Sequence, residues 1–254
     1  TYGEGGDDTI TGAPDETINF IEGGPGDDLL DGDLENDNAF LSFAAYTTAD
    51  SGVRVSLATA GPQAVGGGHG VDTLSDFTGI IGSSHADTLS AGALSLQRLI
   101  GGGGNDLLVA GPSGAELSGG PGDDTLQGSA GDDVAFFAAD PILAAAGPDG
   151  ALTVDLRIAG PQDLGGGVGR DTLISIENVL AGDFGDTITG SDVRNLIFGR
   201  DGGDSIAGLG GNDGIRGEDG DDTIRGGDGD DEITDYIFSG DDDDLHGNRG
   251  GDTV

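Results

Sequence analysis

From Ala181 to Thr234 the chain keeps a nine-residue beat without a slip. The sixth place of each unit holds Asp186, Asn195, Asp204, Asp213, Asp222 and Asp231, and the eighth holds Ile188, Ile197, Ile206, Ile215, Ile224 and Ile233. A short period with an acid and an isoleucine in fixed phase is the mark of a solenoid, in which each repeat contacts mainly its neighbours. Six residues rich in Gly and Asp favour a turn with positive φ angles, and three residues centred on Ile or Leu suit a short strand. Two units then make one coil, and each coil buries its eighth-position side chains against the coils before and after it.

The same ruler fits much of the remaining chain. Gly3 to Thr11 is one unit, Pro14 to Glu22 a degenerate one, and Gly23 to Asp31 and Gly32 to Phe40 follow directly. Five more run from Gly92 to Phe136. The interruptions are copies of each other: Val53-Arg-Val-Ser-Leu57, Gly61-Pro-Gln63, Gly66-Gly-Gly68 and Asp72-Thr-Leu74 return as Leu152-Thr-Val-Asp-Leu156, Gly160-Pro-Gln162, Gly165-Gly-Gly167 and Asp171-Thr-Leu173. This divides one continuous solenoid into a first module with insert (1–90), a second, homologous module with insert (91–189) and a terminal nonapeptide run (190–254). The alternation of Thr, Val and Leu lets the inserts continue the stack as strands. Only Asp140-Pro141 through Ala146-Gly147 reads as helical, with an Asp cap, a Pro at the first position and a Gly after the last residue.

Composition narrows the chemistry. With 34% apolar residues, 5% aromatics and 54 glycines in 254 residues, a thick core is out of reach and a thin repeated one is expected. Against 48 Asp and Glu stand 9 basic residues, all Arg, for a net charge of −39. Self-repulsion of that size opposes compaction unless a cation offsets it. The charge sign excludes nucleic acid as a partner, since phosphate binding needs a basic face. The absence of cysteine excludes disulfides and thiolate metal sites, so the available ligands are oxygens. No apolar run reaches transmembrane length and no secretory leader is present; beginning at Thr1, the chain reads as a processed or excised piece.

The units Gly217-Glu-Asp-Gly-Asp-Asp-Thr-Ile-Arg225 and Gly226-Gly-Asp-Gly-Asp-Asp-Glu-Ile-Thr234 match Gly-Gly-x-Gly-x-Asp-x-apolar-x, the calcium-binding repeat of RTX proteins. The chain resembles the RTX (repeats-in-toxin) family. The resemblance implies an all-β fold, a right-handed parallel β-roll or β-helix solenoid, with calcium ions between turns that lie on one edge eighteen residues apart. Carried onto matching positions, it implies Asp8, Asp28, Asp37, Asp87, Asp106, Asp124, Asp133, Asp186, Asp204, Asp213, Asp222, Asp231, Asp243 and Asp252 as metal ligands. The ions would number on the order of ten, and calcium suits a site of carboxylates and carbonyls better than magnesium, which demands a tight octahedron and holds its water. A solubilising acidic surface or a flexible Gly-rich linker accounts for neither the phase nor the recurring Ile and Leu. The histidines His69, His85 and His246 share no spacing and read as solvated loop residues.

The ruler sorts the acids into ladders. In the terminal run Asp186, Asp204, Asp222 and Asp243 form one, and Asn195, Asp213, Asp231 and Asp252 the other, each last step crossing a three-residue insert near Tyr236. In the middle run one ladder reads Asp87, Asp106, Asp124 and the opposite one Gln97, Ala115, Asp133, so one edge is expected to take metal and the other to be bare or filled by side chains.

No His-Glu-x-x-His or Gly-x-Ser-x-Gly occurs, and a catalytic carboxylate pair would be unique where these recur. The expectation is a non-enzymatic, calcium-binding structural or adhesive module of a secreted or cell-surface bacterial protein. The alternatives are the non-catalytic calcium module of a secreted epimerase or protease, and a self-assembling surface-layer or filament subunit. Expected partners besides calcium are a cell-surface polysaccharide or another copy of the chain, end to end.

Overall fold

The computed structural model describes residues 1–13, 18–33, 41–94, 96–139, 147–234 and 243–254. Among these there are strands and turns but no helix; the helical reading of 140–147 falls almost wholly outside them. The fold is an all-β parallel solenoid, as the nine-residue phase requires. The chain divides into two compact units, Thr1–Gly131 and Asp132–Val254.

In the first unit Ile18–Ile21, Leu41–Ala45, Gly79–Ile81, Gln97–Ile100 and Ala115–Ser118 pair in parallel as one sheet. A second sheet stacks Arg54–Ser56, Thr88–Ser90, Leu107–Val109 and Thr125–Gln127, and a third Thr9–Thr11, Leu29–Asp31 and Val71–Ser75. Each strand is one unit's apolar triplet, so its central residue meets its counterpart one coil away: Leu89 opposite Leu108 and Leu108 opposite Leu126 in one column, Ile80 opposite Leu99 and Leu99 opposite Leu117 in the other. All six are fully buried.

The second unit repeats this with longer strands. Thr187–Ser191, Ser205–Gly210, Thr223–Asp228 and Asp244–Arg249 pair in parallel behind Thr153–Asp155. Asn178–Leu180, Leu196–Asp201, Gly214–Asp219 and Glu232–Thr234 do so behind Val134–Phe136. The eighth-position isoleucines form two buried columns, Ile188–Ile206–Ile224 and Ile197–Ile215–Ile233. Ile224 pairs with Leu245, twenty-one residues on, where the inserted three residues had been placed.

The inserts enter the stack as strands, but not only in parallel. Gln63–Ala64 runs antiparallel to Val71–Asp72, and Gln162–Gly165 antiparallel to Gly169–Asp171. The repeated Gln explains itself here. Gln63 accepts the Ser56 N–H at 2.8 Å and donates to the Ser56 carbonyl at 3.0 Å; Gln162 treats Asp155 the same way, at 2.9 and 3.1 Å. Each amide thus completes the hydrogen bonding of an outer strand as a neighbouring strand would. The histidine reading needs one correction. His85 and His246 are exposed, but His69 is buried, its ring edge-on to Tyr46 at 5.1 Å.

Candidate metal centre

The sixth-position side chains stack into ladders held by one recurring bond. The backbone N–H of a sixth residue donates to the Oδ1 of the sixth residue one coil on. Asp87 donates to Asp106 and Asp106 to Asp124, at 2.8 and 2.7 Å. Asp186 donates to Asp204, Asp204 to Asp222 and Asp222 to Asp243, at 2.7, 2.7 and 3.0 Å. Asn195 donates to Asp213, Asp213 to Asp231 and Asp231 to Asp252, at 2.8, 2.9 and 3.1 Å. Both expected terminal ladders are therefore physically continuous.

The other carboxylate oxygen has a different fate. Oδ2 of Asp8, Asp28, Asp106, Asp213 and Asp231 is buried with no hydrogen-bond donor. It points over the first glycine of its own turn, and at Asp8, Asp106 and Asp213 the next coil's first carbonyl also arrives there. A Cβ on Gly101 would meet Asp106 Oδ2 and stand 2.7 Å from the Gly119 oxygen, and one on Gly208 would meet Asp213 Oδ2 and stand 2.7 Å from the Gly226 oxygen. The first glycine is thus required for the cradle to exist. The second residue of these turns lies in the left-handed region, at φ 89° for Gly24, 105° for Gly102, 82° for Leu209 and 125° for Gly227. This conformation sends the Gly102 N–H away from the carboxylate, to the Gly119 carbonyl at 3.1 Å. Asp8 shares the donor-less oxygen although its second residue, Glu4, is outside that region.

A buried carboxylate oxygen without a donor is repelled by the carbonyl it faces and costs desolvation. The carboxyls register this. Burial pushes Asp106 up to about 7 and Asp124 and Asp213 up to about 6, and raises Asp28, Asp186 and Asp231 above the ordinary carboxylate range. The carboxylate on the neighbouring rung adds to the rise at Asp106, Asp213 and Asp231. The ladder N–H bonds oppose it without cancelling it. A cation in the cradle would remove both penalties. Among the described residues no three carboxylate, imidazole or thiol side chains converge, so the donor set is one carboxylate per turn supplemented by backbone carbonyls. Hard oxygens from two turns fit calcium, which takes six to eight of them, better than magnesium.

Asp133 is buried and makes the same kind of bond in the second unit: its N–H donates to Oε2 of Glu177, at the matching position one coil on, at 3.1 Å, and Asn178 Nδ2 donates to its carbonyl at 3.2 Å. Asp37 lies outside the described residues. Asp72, by contrast, was missed and is a rung: Asp28 N–H donates to its Oδ1 at 3.1 Å, as Asp8 N–H donates to Asp28 Oδ1 at 2.9 Å. The signal was present. Gly67-Gly-His-Gly-Val-Asp-Thr-Leu-Ser75 is itself a full nonapeptide inside the insert, with Gly68 and Gly70 at φ 90° and 74°.

The model of the RTX calcium-binding nonapeptide repeat matches residues 2–39, 98–112, 116–140, 180–215 and 208–234, together just over half of the chain. The chain belongs to this family, and it is a calcium-binding β-roll module. No curated protein matches it. Among the described residues no helix is long and apolar enough to cross a membrane.

Proposed function

We propose that calcium ions bind along the ladders, in the cradles of Asp8, Asp28, Asp106, Asp124, Asp204, Asp213, Asp222 and Asp231, with Asp243 and Asp252 completing the last rungs. The observation that supports this is the run of buried carboxylate oxygens with no donor at Asp8, Asp28, Asp106, Asp213 and Asp231, those of Asp8, Asp106 and Asp213 beside a carbonyl of the next coil; Asp124, Asp204 and Asp222 are the adjoining rungs of the same ladders. The ions supply positive charge between coils. The chain supplies the rest: it fixes one carboxylate by the ladder N–H, clears space at the first glycine, and aims the carbonyls. At a net charge of −39 with a thin core, ion binding free energy becomes folding free energy. The module is therefore loose where calcium is scarce and folded where it is abundant. That is the behaviour of a structural or adhesive module of a secreted or cell-surface bacterial protein, and the repetition of its carboxylates favours scaffolding over catalysis. The two insert-bearing copies (1–90 and 91–189) and the terminal run (190–254) are read as a duplicated module extended by further repeats. Circular dichroism during calcium titration tests this: β signal should appear with calcium, and a fully folded spectrum in excess chelator at low salt would refute it.

A further inference from the structure

The turns that follow the inserts are built differently. In three of them the second residue is outside the left-handed region, and its N–H turns inward to the sixth side chain: Ser83 to Asp87 Oδ2 at 2.6 Å, Gly182 to Asp186 Oδ2 at 3.1 Å, and Ser191 to Asn195 Oδ1 at 2.7 Å. The oxygen that lacks a donor at Asp28, Asp106, Asp213 and Asp231 has one here. The opposite oxygens of the two acids are satisfied by insert strands, from the Val53 N–H to Asp87 and the Leu152 N–H to Asp186, both at 2.7 Å. Asn195 instead donates through Nδ2 to the Glu177 carbonyl at 2.6 Å.

The three junction turns also differ from the ladder turns at the fourth residue. The ladder turns of Asp106, Asp213 and Asp231 carry glycine there at φ 113° for Gly104, 109° for Gly211 and 146° for Gly229, and that of Asp28 carries Gly26, which is outside the left-handed region. The three junction turns carry His85, Phe184 and Val193, side chains for which a positive φ is strained. Ser83 and Ser191 fix the alternative further, their Oγ accepting the N–H two residues on, at His85 and Val193 (3.0 and 3.4 Å).

We propose that these junction turns are held without calcium, the second-position N–H of Ser83, Gly182 and Ser191 filling the role the ion has in the ladders, so that each insert is a calcium-independent anchor between calcium-dependent runs. Sixth-position acid alone does not then define a site: Asp87 and Asp186 are positioning residues, and the second and fourth residues decide which turns take an ion. The inference rests on the calcium reading of the ladders given above.

Hydrogen exchange of the intact chain across a calcium titration tests it. Amides of 83–87, 182–186 and 191–195 should stay protected at calcium levels where those of 102–106, 209–213 and 227–231 have lost protection; one shared midpoint for all six segments overturns the proposal. Ion counting supplies a second arm. Asp213→Asn should lower the number of bound calcium ions, whereas Asp186→Asn should leave it at the wild-type value. Equal loss from both variants overturns the assignment of the junction turns while leaving the ladders intact. A wild-type chain that binds no calcium overturns the ladder reading itself, and this proposal with it.

Discussion

The middle run of the first unit presents the same coil twice, once with acids and once without. On one edge Asp87, Asp106 and Asp124 stack; on the other the sixth positions are Gln97 and Ala115, whose strands pair in the same parallel register. Behind both edges the leucine columns are equally buried. The acid-free edge satisfies itself. Gln97 accepts the Gly92 N–H at 2.5 Å and donates to the Phe77 carbonyl at 3.1 Å, Gly114 N–H closes onto the Gly111 carbonyl at 3.1 Å, and Ser113 Oγ donates to the Ala93 carbonyl at 3.0 Å. Strand pairing and the thin core therefore do not need carboxylates. What the carboxylates add is a demand for cations.

Removing calcium should strain the comparison most. Each site saturated at a hundred times its Kd contributes about 2.7 kcal/mol, and a few such sites equal the whole stability of an ordinary domain. Chelation is expected to abolish most of the β signal of the ladder runs, read by circular dichroism. Next come Leu108→Ala and Leu117→Ala, one behind each edge. Both leucines are fully buried, so each truncation should cost about 2 to 5 kcal/mol, and excess calcium should rescue neither. Asp106→Ala and Gln97→Ala should then part: the first moves the calcium midpoint of folding upward and is recovered by excess calcium, while the second leaves the midpoint where it was. If the two moved it equally, the edges would not differ as described.

Acidity gives a smaller and opposite lever. Burial pushes Asp106 up to about 7 and Asp72, Asp124 and Asp213 up to about 6, above the ordinary carboxylate value they have when unfolded. The folded chain therefore keeps protons that the unfolded chain has released, and this contribution is complete below the unfolded value and lost as pH rises through about 6 to 7. Without calcium the chain should gain structure on acidification, while with calcium, which competes with those protons, it should weaken. Titrations in chelator and in excess calcium should have slopes of opposite sign through that interval.

The solenoid, the buried eighth-position columns and most rungs were legible because phase alone places them. Asp72 was readable but masked by the insert around it, whose nonapeptide begins at Gly67 without an adjoining unit to keep the beat. The burial of His69 and the inward N–H of Ser83, Gly182 and Ser191 were not readable from the sixth and eighth positions. They depend on backbone conformation at the second position, and the cue, a missing glycine at the fourth, acquires meaning only once the ladder turns show what that glycine does. The antiparallel hairpins escaped for a related reason: period-two alternation marks a strand and leaves its direction open.

The smallest expected effect concerns a rung whose inner oxygen meets a neutral aromatic side chain. Tyr46 is fully buried and its hydroxyl donates to Asp72 Oδ2 at 3.2 Å. Burial and the neighbouring Asp72 carboxylate raise the phenol well above its ordinary value, so it stays protonated and remains a donor. It stands to Asp72 as Ser83 N–H stands to Asp87, a donor supplied by the protein where other rungs of the ladders call for a cation. Tyr46→Phe keeps the ring and its edge contact with His69 and removes only the hydroxyl, leaving a buried carboxylate oxygen short of its donor. Such a deletion costs about 1 to 3 kcal/mol, and the length of this bond places it near the lower end. In chelator the variant should be destabilised by that amount, measured by urea unfolding of whatever structure persists around the first insert. In excess calcium the loss should shrink, because the left-handed Gly68 and Gly70 already give the Asp72 turn the shape of a ladder turn and the freed oxygen becomes available to an ion. A loss of the same size with and without calcium would mean that the hydroxyl only fills space, and that the rung at Asp72 is no counterpart of the metal cradles.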